Sequence, residues 1–212
     1  MKITLLCGSP RPKDSNSMYL LEGLRGKLEG LRGKLEGCDI ALCRTSEPVD
    51  ALLEHLADSA ALVAAFPLYA DSIPSNVLDA LSAIQAGLPG PRPDLKAYAV
   101  VNSGFYDAVQ NRIAIDMFWA WCAQCGLARG YALGVGAGEM ARAAPLGQGP
   151  SANPGRALNA LAEGILAGAS GEDVFVEPNF PRFLYKAAAH MGWRKQGKGN
   201  GLSPADLRAK IT

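Results

Sequence analysis

Short, almost uninterrupted apolar runs alternate with longer segments of helical periodicity along the first part of the chain. We predict strands at 2–7, 39–43, 60–66, 97–101 and 130–135. We predict helices at 18–36, 49–58, 76–86, 108–125 and 156–167. Alternation of apolar strands with helices is typical of a parallel sheet that is buried on both faces. The pattern therefore predicts a doubly wound α/β fold, a five-stranded parallel sheet in the order 2-1-3-4-5 with helices on both faces.

The composition fits one globular domain with a substantial core. Of 212 residues, 49% are hydrophobic and 19% are charged, which excludes wholesale disorder. No apolar run approaches the ~18 residues that a membrane span needs. The chain has five cysteines at irregular spacing and no export signal, so we expect a cytoplasmic protein with reduced thiols.

The charge is divided unevenly, although the net charge is only +1. From Arg182 onward, seven basic residues face one acidic residue, Asp206, so this segment carries +6 and the preceding residues carry −5. A nucleic-acid binder would carry its basic residues on the main domain, so we expect no nucleic-acid partner. We predict a main domain at 1–170 and a basic extension at 171–212.

The basic extension also contains an apolar row at helical spacing. The row consists of Phe180, Phe183, Leu184, Ala187 and Met191, and it predicts a short amphipathic helix. Such a helix can dock on the acidic main domain or on a second copy of the chain. Contact with a membrane surface is the less favoured alternative.

The loop after the first predicted strand is rich in hydrogen-bond donors and runs directly into a helix. It offers the hydroxyls of Ser9, Ser15 and Ser17, the amide of Asn16 and the positive charge of Arg11. A helix N-terminus with such donors is suited to binding a phosphate group. A polar turn with a capping serine is an equally good interpretation of this loop alone. The spacing matches neither a P-loop nor a Gly-x-Gly dinucleotide fingerprint.

Three loops, each following a predicted strand, carry a resemblance to a known family. They are the segments at 8–17, 67–74 and 102–105, which read GSPRPKDSNS, PLYADSIP and NSGF. In this order they resemble the flavin-binding loops of NAD(P)H-dependent FMN reductases and flavodoxin-like oxidoreductases. The resemblance extends over roughly residues 1–170, and it implies a flavodoxin-like fold that binds FMN.

The resemblance implies a role for each loop. The first loop would hold the FMN phosphate through Ser9, Arg11, Ser15, Asn16 and Ser17. The second and third would contact the isoalloxazine and ribityl groups, through Pro67, Leu68, Tyr69, Ala70 and Asp71 on one side and Ser103, Gly104 and Phe105 on the other.

The resemblance also implies an activity. Hydride would pass from NAD(P)H, the co-substrate, through FMN to a small acceptor: a quinone, a flavin, an azo or nitro compound, or a metal ion. The protein would be a homodimer. Such chemistry needs no catalytic acid or base, because the cofactor carries the reaction, so we predict no catalytic residue.

Two departures from the family pattern keep other functions open. Asp71 places a carboxylate in the second loop, and the lysine that many members carry shortly after the proline of that loop is missing. One alternative is a flavodoxin-type electron-transfer module, although the sequence pI of about 7.6 is unlike the strongly acidic carriers. The other is a flavodoxin-like binding module without cofactor.

Several motifs that suggest other chemistry are interpreted as structural. Cys122 and Cys125 form a C-x-x-C motif, but it lies deep in a predicted helix rather than at a helix start. Cys38 and Cys43 have no further ligand cluster, and the two histidines cannot build a metal site. The Gly-x-Gly-x-x-Ala motif at 136–141 has no acidic residue ending a following strand, as a dinucleotide site requires.

Overall fold

The computed structural model describes residues 1–11, 13–32 and 38–209. The strands are β1 (Lys2–Cys7), β2 (Asp39–Arg44), β3 (Ser59–Pro67), β4 (Lys96–Asn102), β5 (Ala128–Val135) and β6 (Val174–Val176). The α-helices are α1 (Asn16–Arg32), α2 (Val49–Ala57), α3 (Ser75–Gly87), α4 (Arg112–Gln124), α5 (Ala152–Leu166) and α6 (Arg182–Gly199). Short 3-10 helices cover Ala108–Asn111, Gly138–Arg142, Gly149–Ser151 and Asp206–Arg208.

All six strands form one parallel sheet in the order β2-β1-β3-β4-β5-β6. The predicted order of the first five strands is confirmed, but the prediction of five strands is wrong. The additional strand pairs with the end of β5, from Leu133↔Val174 to Val135↔Val176. It escaped the sequence pattern because three residues at a sheet edge are too short to give an apolar run.

Helices cover both faces of the sheet, as predicted. One core packs α2, α3 and α4 against the sheet, with Phe66 and Phe118 among its largest buried side chains. The other core packs α1 and α5 through leucines such as Leu24 and Leu161. Alternate residues of each central strand contribute to opposite cores, which explains why these strands are apolar throughout.

Two predicted helices have different bounds in the structure. α1 begins at Asn16, two residues before the predicted start, and the predicted end at 36 lies outside the described residues. The predicted helix at 108–125 is divided into the 3-10 turn Ala108–Asn111 and α4. At the division the buried Asn111 side chain donates to the carbonyls of Ala108 and Val135, at 2.9 and 3.3 Å. These bonds fix the turn against β5.

The chain separates into two compact units, Met1–Pro178 and Asn179–Thr212. The first unit contains the whole sheet, including β6, which lies beyond the expected boundary at 170. In the second unit, α6 extends over 18 residues and exposes Phe183, Met191 and Trp193. Within the described residues, no helix has the length and apolar character needed to cross a membrane.

Candidate functional site

The three loops that carry the predicted site residues follow β1, β3 and β4, which are neighbours in the sheet. Because the strands are parallel, these loops emerge at the same edge. Main-chain hydrogen bonds tie the first loop to β3 and the second loop to the third: Gly8 N–H donates to the Ala65 carbonyl at 2.7 Å, and Leu68 N–H donates to the Asn102 carbonyl at 2.8 Å. The structure therefore brings the three segments together beyond the carboxyl ends of the strands, where doubly wound folds bind ligands.

The first loop forms the start of α1. Ser15 caps the helix, because its Oγ accepts a hydrogen bond from the Met18 N–H at 3.1 Å. Ser9 Oγ accepts from the Arg11 N–H at 3.3 Å, and the Arg11 side chain is exposed. Asn16 is the first residue of α1, and no acidic residue occupies the first turn. A helix N-terminus without a carboxylate in its first turn suits an anionic ligand.

Arg142 is a neighbour of this loop that sequence reasoning missed. It lies in the 3-10 turn after β5 and donates to the Asp14 carbonyl at 2.7 Å and to the Asp14 carboxylate at 3.1 Å. Its guanidinium also lies 6.0 Å from the centre of the Tyr19 ring. The pairing partly neutralises the carboxylate nearest the start of α1. No local pattern could reveal it, because 128 residues separate the partners.

The second loop is a two-residue hairpin turn. Tyr69 and Ser72 exchange main-chain hydrogen bonds of 3.1 and 3.0 Å. Between them, Ala70 and Asp71 adopt φ values of +47° and +58°. Two consecutive left-handed residues are typical of a type I′ turn, for which Asn-Gly is preferred. A side chain in this conformation costs roughly 1 kcal/mol or more per residue, so the loop stores strain beside the site.

The third loop contains a buried hydroxyl without a partner. Ser103 is 4% exposed, and its Oγ makes no hydrogen bond within the described part of the chain. Its main chain is fixed, because Ser103 N–H donates to the Val135 carbonyl at 3.1 Å and its carbonyl accepts from Gly138 N–H at 2.7 Å. Buried polar groups are normally paired, so this orphaned hydroxyl is a candidate hydrogen-bond donor to a ligand at this edge of the sheet.

The residues beside Ser103 provide space and aromatic surface. A Cβ on Gly104 would meet no atom within 4 Å, so this backbone borders open space. Phe105 is 52% exposed, and Tyr69 of the second loop is 45% exposed. Exposed aromatic side chains on neighbouring loops can contact a flat heterocycle.

The glycine-rich segment after β5 packs closely against the backbone of the third loop. Gly136 lies so close to the Tyr106 carbonyl that a Cβ would clash with it. Ala137, at φ +46°, donates its N–H to the Phe105 carbonyl at 2.5 Å. The Gly-x-Gly motif thus serves close backbone approach, and a 3-10 turn rather than an α-helix follows it. This agrees with its interpretation as something other than a dinucleotide fingerprint.

Four cysteines lie in surroundings that disfavour the thiolate form. The thiols of Cys7, Cys43, Cys122 and Cys125 are buried, and burial raises the pKa of each. Cys122 lies in the last turn of α4 and Cys125 follows it, which fits the packing role expected for this motif. Among the described residues, no cluster of His, Cys, Asp or Glu has an arrangement that could hold a metal ion.

The residues at the three loops fit an FMN molecule. The start of α1 is suited to its phosphate, the orphaned Ser103 hydroxyl can bond a polar atom, and Tyr69 and Phe105 can contact its ring. Asp71 opposes an anionic flavin, and it is exposed at the tip of the turn.

Comparison with known proteins identifies the fold. No protein-family model matches the sequence, and no curated protein matches it significantly. Among solved structures, an FMN-dependent NADH-azoreductase from Bacillus anthracis in complex with FMN superimposes with a TM-score of 0.59 at 12% identity, covering 78% of this chain and 99% of that one.

Two further structures give similar scores. A flavodoxin from Streptococcus pneumoniae gives a TM-score of 0.56 at 16% identity, covering 79% of this chain and 99% of its own. An NAD(P)H:quinone oxidoreductase from Methanothermobacter marburgensis gives 0.56 at 15% identity, covering 76% and 96%. The chain therefore has the flavodoxin-like fold, and the resemblance predicted from its loops is confirmed at the level of the fold.

Proposed function

We propose that this chain is an FMN-dependent oxidoreductase. The observation that carries the proposal is the buried, unpartnered Ser103 hydroxyl at the point where three loops converge. The similarity in fold to an azoreductase crystallised with FMN supports the same cofactor. When bound, FMN supplies the redox chemistry, because its ring accepts and releases hydride or electrons.

The protein's own residues bind and orient the cofactor. The start of α1 holds the phosphate through backbone N–H groups, with Ser9, Arg11 and Asn16 contributing side-chain donors. Ser103 donates a hydrogen bond to a polar atom of the flavin. Tyr69 and Phe105 border the ring and restrict water on that side. No side chain is required to transfer a proton in this scheme.

We further propose that NAD(P)H is the reductant and that a small molecule is the acceptor. A quinone, a free flavin, an azo or nitro compound, or a metal ion would suit a site bordered by the exposed rings of Tyr69 and Phe105. Two of the similar structures bear the names azoreductase and quinone oxidoreductase, which supports a quinone or an azo compound as the acceptor.

We propose a homodimer as the working assembly. The third loop and the two helical segments after it expose the apolar side chains of Phe105, Val109 and Ile113. A second copy would bury these side chains.

Anaerobic reduction of the FMN-loaded protein tests the proposed activity. NADPH or NADH should bleach the visible flavin bands within seconds, and a candidate acceptor should restore them. A protein that binds FMN but is bleached only by dithionite would instead be an electron-transfer module. Ser103→Ala should weaken FMN binding by about 5- to 20-fold, as expected for the loss of one buried hydrogen bond.

A further inference from the structure

We propose that Asn102 is a positioning residue that sets the spacing between the phosphate-binding start of α1 and the ring-binding loops. The inference rests on the proposed FMN site and adds a residue that does not itself touch the cofactor. Asn102 is the last residue of β4, and it is 4% exposed.

The Asn102 side chain joins two loops. Its Nδ2 donates to Ser17 Oγ at 2.7 Å and to the Phe66 carbonyl at 3.2 Å. The Phe66 carbonyl can only accept, so the atom facing it must be the amide nitrogen, and this fixes the orientation of the amide. Both hydrogens of the amide are therefore engaged, one with α1 and one with the end of β3.

The Asn102 main chain holds the remaining parts of the site. Its carbonyl accepts the Leu68 N–H at 2.8 Å, which fixes the start of the second loop. Ser103, the next residue, carries the orphaned hydroxyl. Asn102 thus contacts or adjoins all three loops. Its contact with α1 is made by its side chain and not by its main chain.

The hydrogen bond between Asn102 and Ser17 should affect the affinity for a ligand that binds at α1 and at the other two loops together. FMN must place its phosphate at the start of α1 and its ring between the other loops at the same time. Loops that are already held at the correct spacing avoid the entropic cost of ordering them on binding. Riboflavin has the ring but no phosphate, so its affinity should depend far less on where α1 begins.

A buried polar pair at the opposite end of the sheet provides a matched control. Thr4 Oγ1 and Ser59 Oγ are 2.7 Å apart near the amino ends of β1 and β3, and both residues are buried. Ser59→Ala removes one buried hydroxyl from such a pair, as Ser17→Ala does. Ser59 Oγ also bonds the His55 carbonyl at 2.7 Å, so Ser59→Ala should lower stability at least as much as Ser17→Ala, but Ser59 is remote from the three loops.

The test is to measure FMN and riboflavin affinity by quenching of flavin fluorescence in the full-length wild type, Asn102→Ala, Ser17→Ala, the double variant and Ser59→Ala. In Asn102→Ala the Leu68 main-chain bond remains, so the ring loops stay in place. We expect FMN affinity to fall about 5- to 20-fold and riboflavin affinity less than about threefold. Ser17→Ala should do the same, and the double variant should be no worse than the single variants.

Ser59→Ala should leave the ratio of FMN to riboflavin affinity unchanged. If Asn102→Ala does not fold, Ser17→Ala carries the test, since it breaks the same bond from the other partner. Parallel losses of both ligands, an unchanged ratio, or additive effects in the double variant would overturn the inference while the proposed function stands. A wild type that binds neither flavin would refute the proposed function, and this inference with it.

Discussion

The two ends of the parallel sheet differ in the residues that adopt positive φ and in the pairing of buried polar groups. At the carboxyl end, the loops after β1, β3 and β5 contain every non-glycine residue with positive φ in the described part of the chain: Asp14, Ala70, Asp71 and Ala137. The same end carries the unpartnered Ser103 hydroxyl. At the amino end, left-handed turns are made by glycines, such as Gly126 before β5.

Polar groups around β5 and β6, away from the three loops, are closely paired. Asp173, just before β6, accepts hydrogen bonds from Trp119 Nε1 at 3.0 Å, from the Ala132 N–H at 2.8 Å and from Arg129 at 3.0 Å. The Arg129 guanidinium lies 4.7 Å from the centre of the Trp119 ring. Backbone strain and the unpaired hydroxyl thus lie where a ligand is expected, and the polar groups away from the loops are paired.

The largest predicted effect comes from a substitution that removes hydrogen bonds away from the three loops and leaves the candidate site unchanged. Asp173→Ala leaves the buried indole N–H of Trp119 and the Ala132 N–H without their acceptor. We expect the free energy of unfolding to fall by about 2–4 kcal/mol in urea denaturation. FMN affinity of the folded fraction should stay within about twofold. A specific loss of FMN binding would contradict the division between the two ends.

A smaller effect concerns the pH dependence of stability that a buried thiol causes. This prediction does not depend on the difference between the two ends of the sheet. Burial raises the pKa of Cys43, near the carboxyl end of β2, to about 12 from an ordinary value of 9.0. The unfolded state therefore loses its proton at a lower pH than the folded state, so stability is retained below pH 9 and declines as the pH rises from 9 towards 12. We expect Cys43 to account for a loss of roughly 1–2 kcal/mol by pH 10.

The control for this prediction is Cys43→Ala. Urea denaturation at pH 8 and pH 10 should show a smaller difference in the variant than in the wild type. An equal difference in the two proteins would show that Cys43 does not titrate on unfolding. The raised pKa of Cys122 and Cys125 also predicts slow alkylation of the folded protein at pH 8, at a rate set by unfolding.

The smallest predicted effect relieves strain at the carboxyl end. Replacing Ala70 with Asn and Asp71 with Gly supplies the residues that a type I′ turn prefers. We expect a gain of about 1 kcal/mol and a rise in Tm of roughly 2–4 °C, measured by thermal denaturation. FMN affinity should be unchanged or higher, because the turn keeps its shape and loses a carboxylate.

Gly126→Ala is the converse experiment at the amino end, because it introduces strain where the turn variant removes it. Gly126 has φ +63°, and a Cβ there would lie 2.6 Å from Pro91 Cβ, so this variant should lose stability. A lower Tm in the turn variant would show that Ala70 and Asp71 are not under strain.

The sequence predicted the fold well because its determinants are local. Apolar strands such as Ala61–Phe66, buried on both faces, stand out in any window of the chain. The candidate site was predictable as three loops, because parallel strands place their carboxyl ends at one edge. The strand β6 was missed because three residues at an edge give no pattern.

The contacts inside the site could not be read from the sequence. Asn102 and Ser17 are 85 residues apart, and Arg142 and Asp14 are 128 apart. Side-chain bonds over such separations leave no periodic or spacing signal in one sequence. The first loop illustrates the same limit. Ser15 caps a helix and Ser17 is buried against Asn102, and the sequence motif alone does not distinguish these roles from phosphate binding.

Titration of the purified protein with FMN tests the proposal that the three loops form an FMN site. We expect saturable quenching of flavin fluorescence with a stoichiometry near one FMN per chain, and Ser103→Ala should weaken the binding. A correctly folded protein that is colourless when purified and leaves the FMN fluorescence unchanged throughout the titration would contradict it.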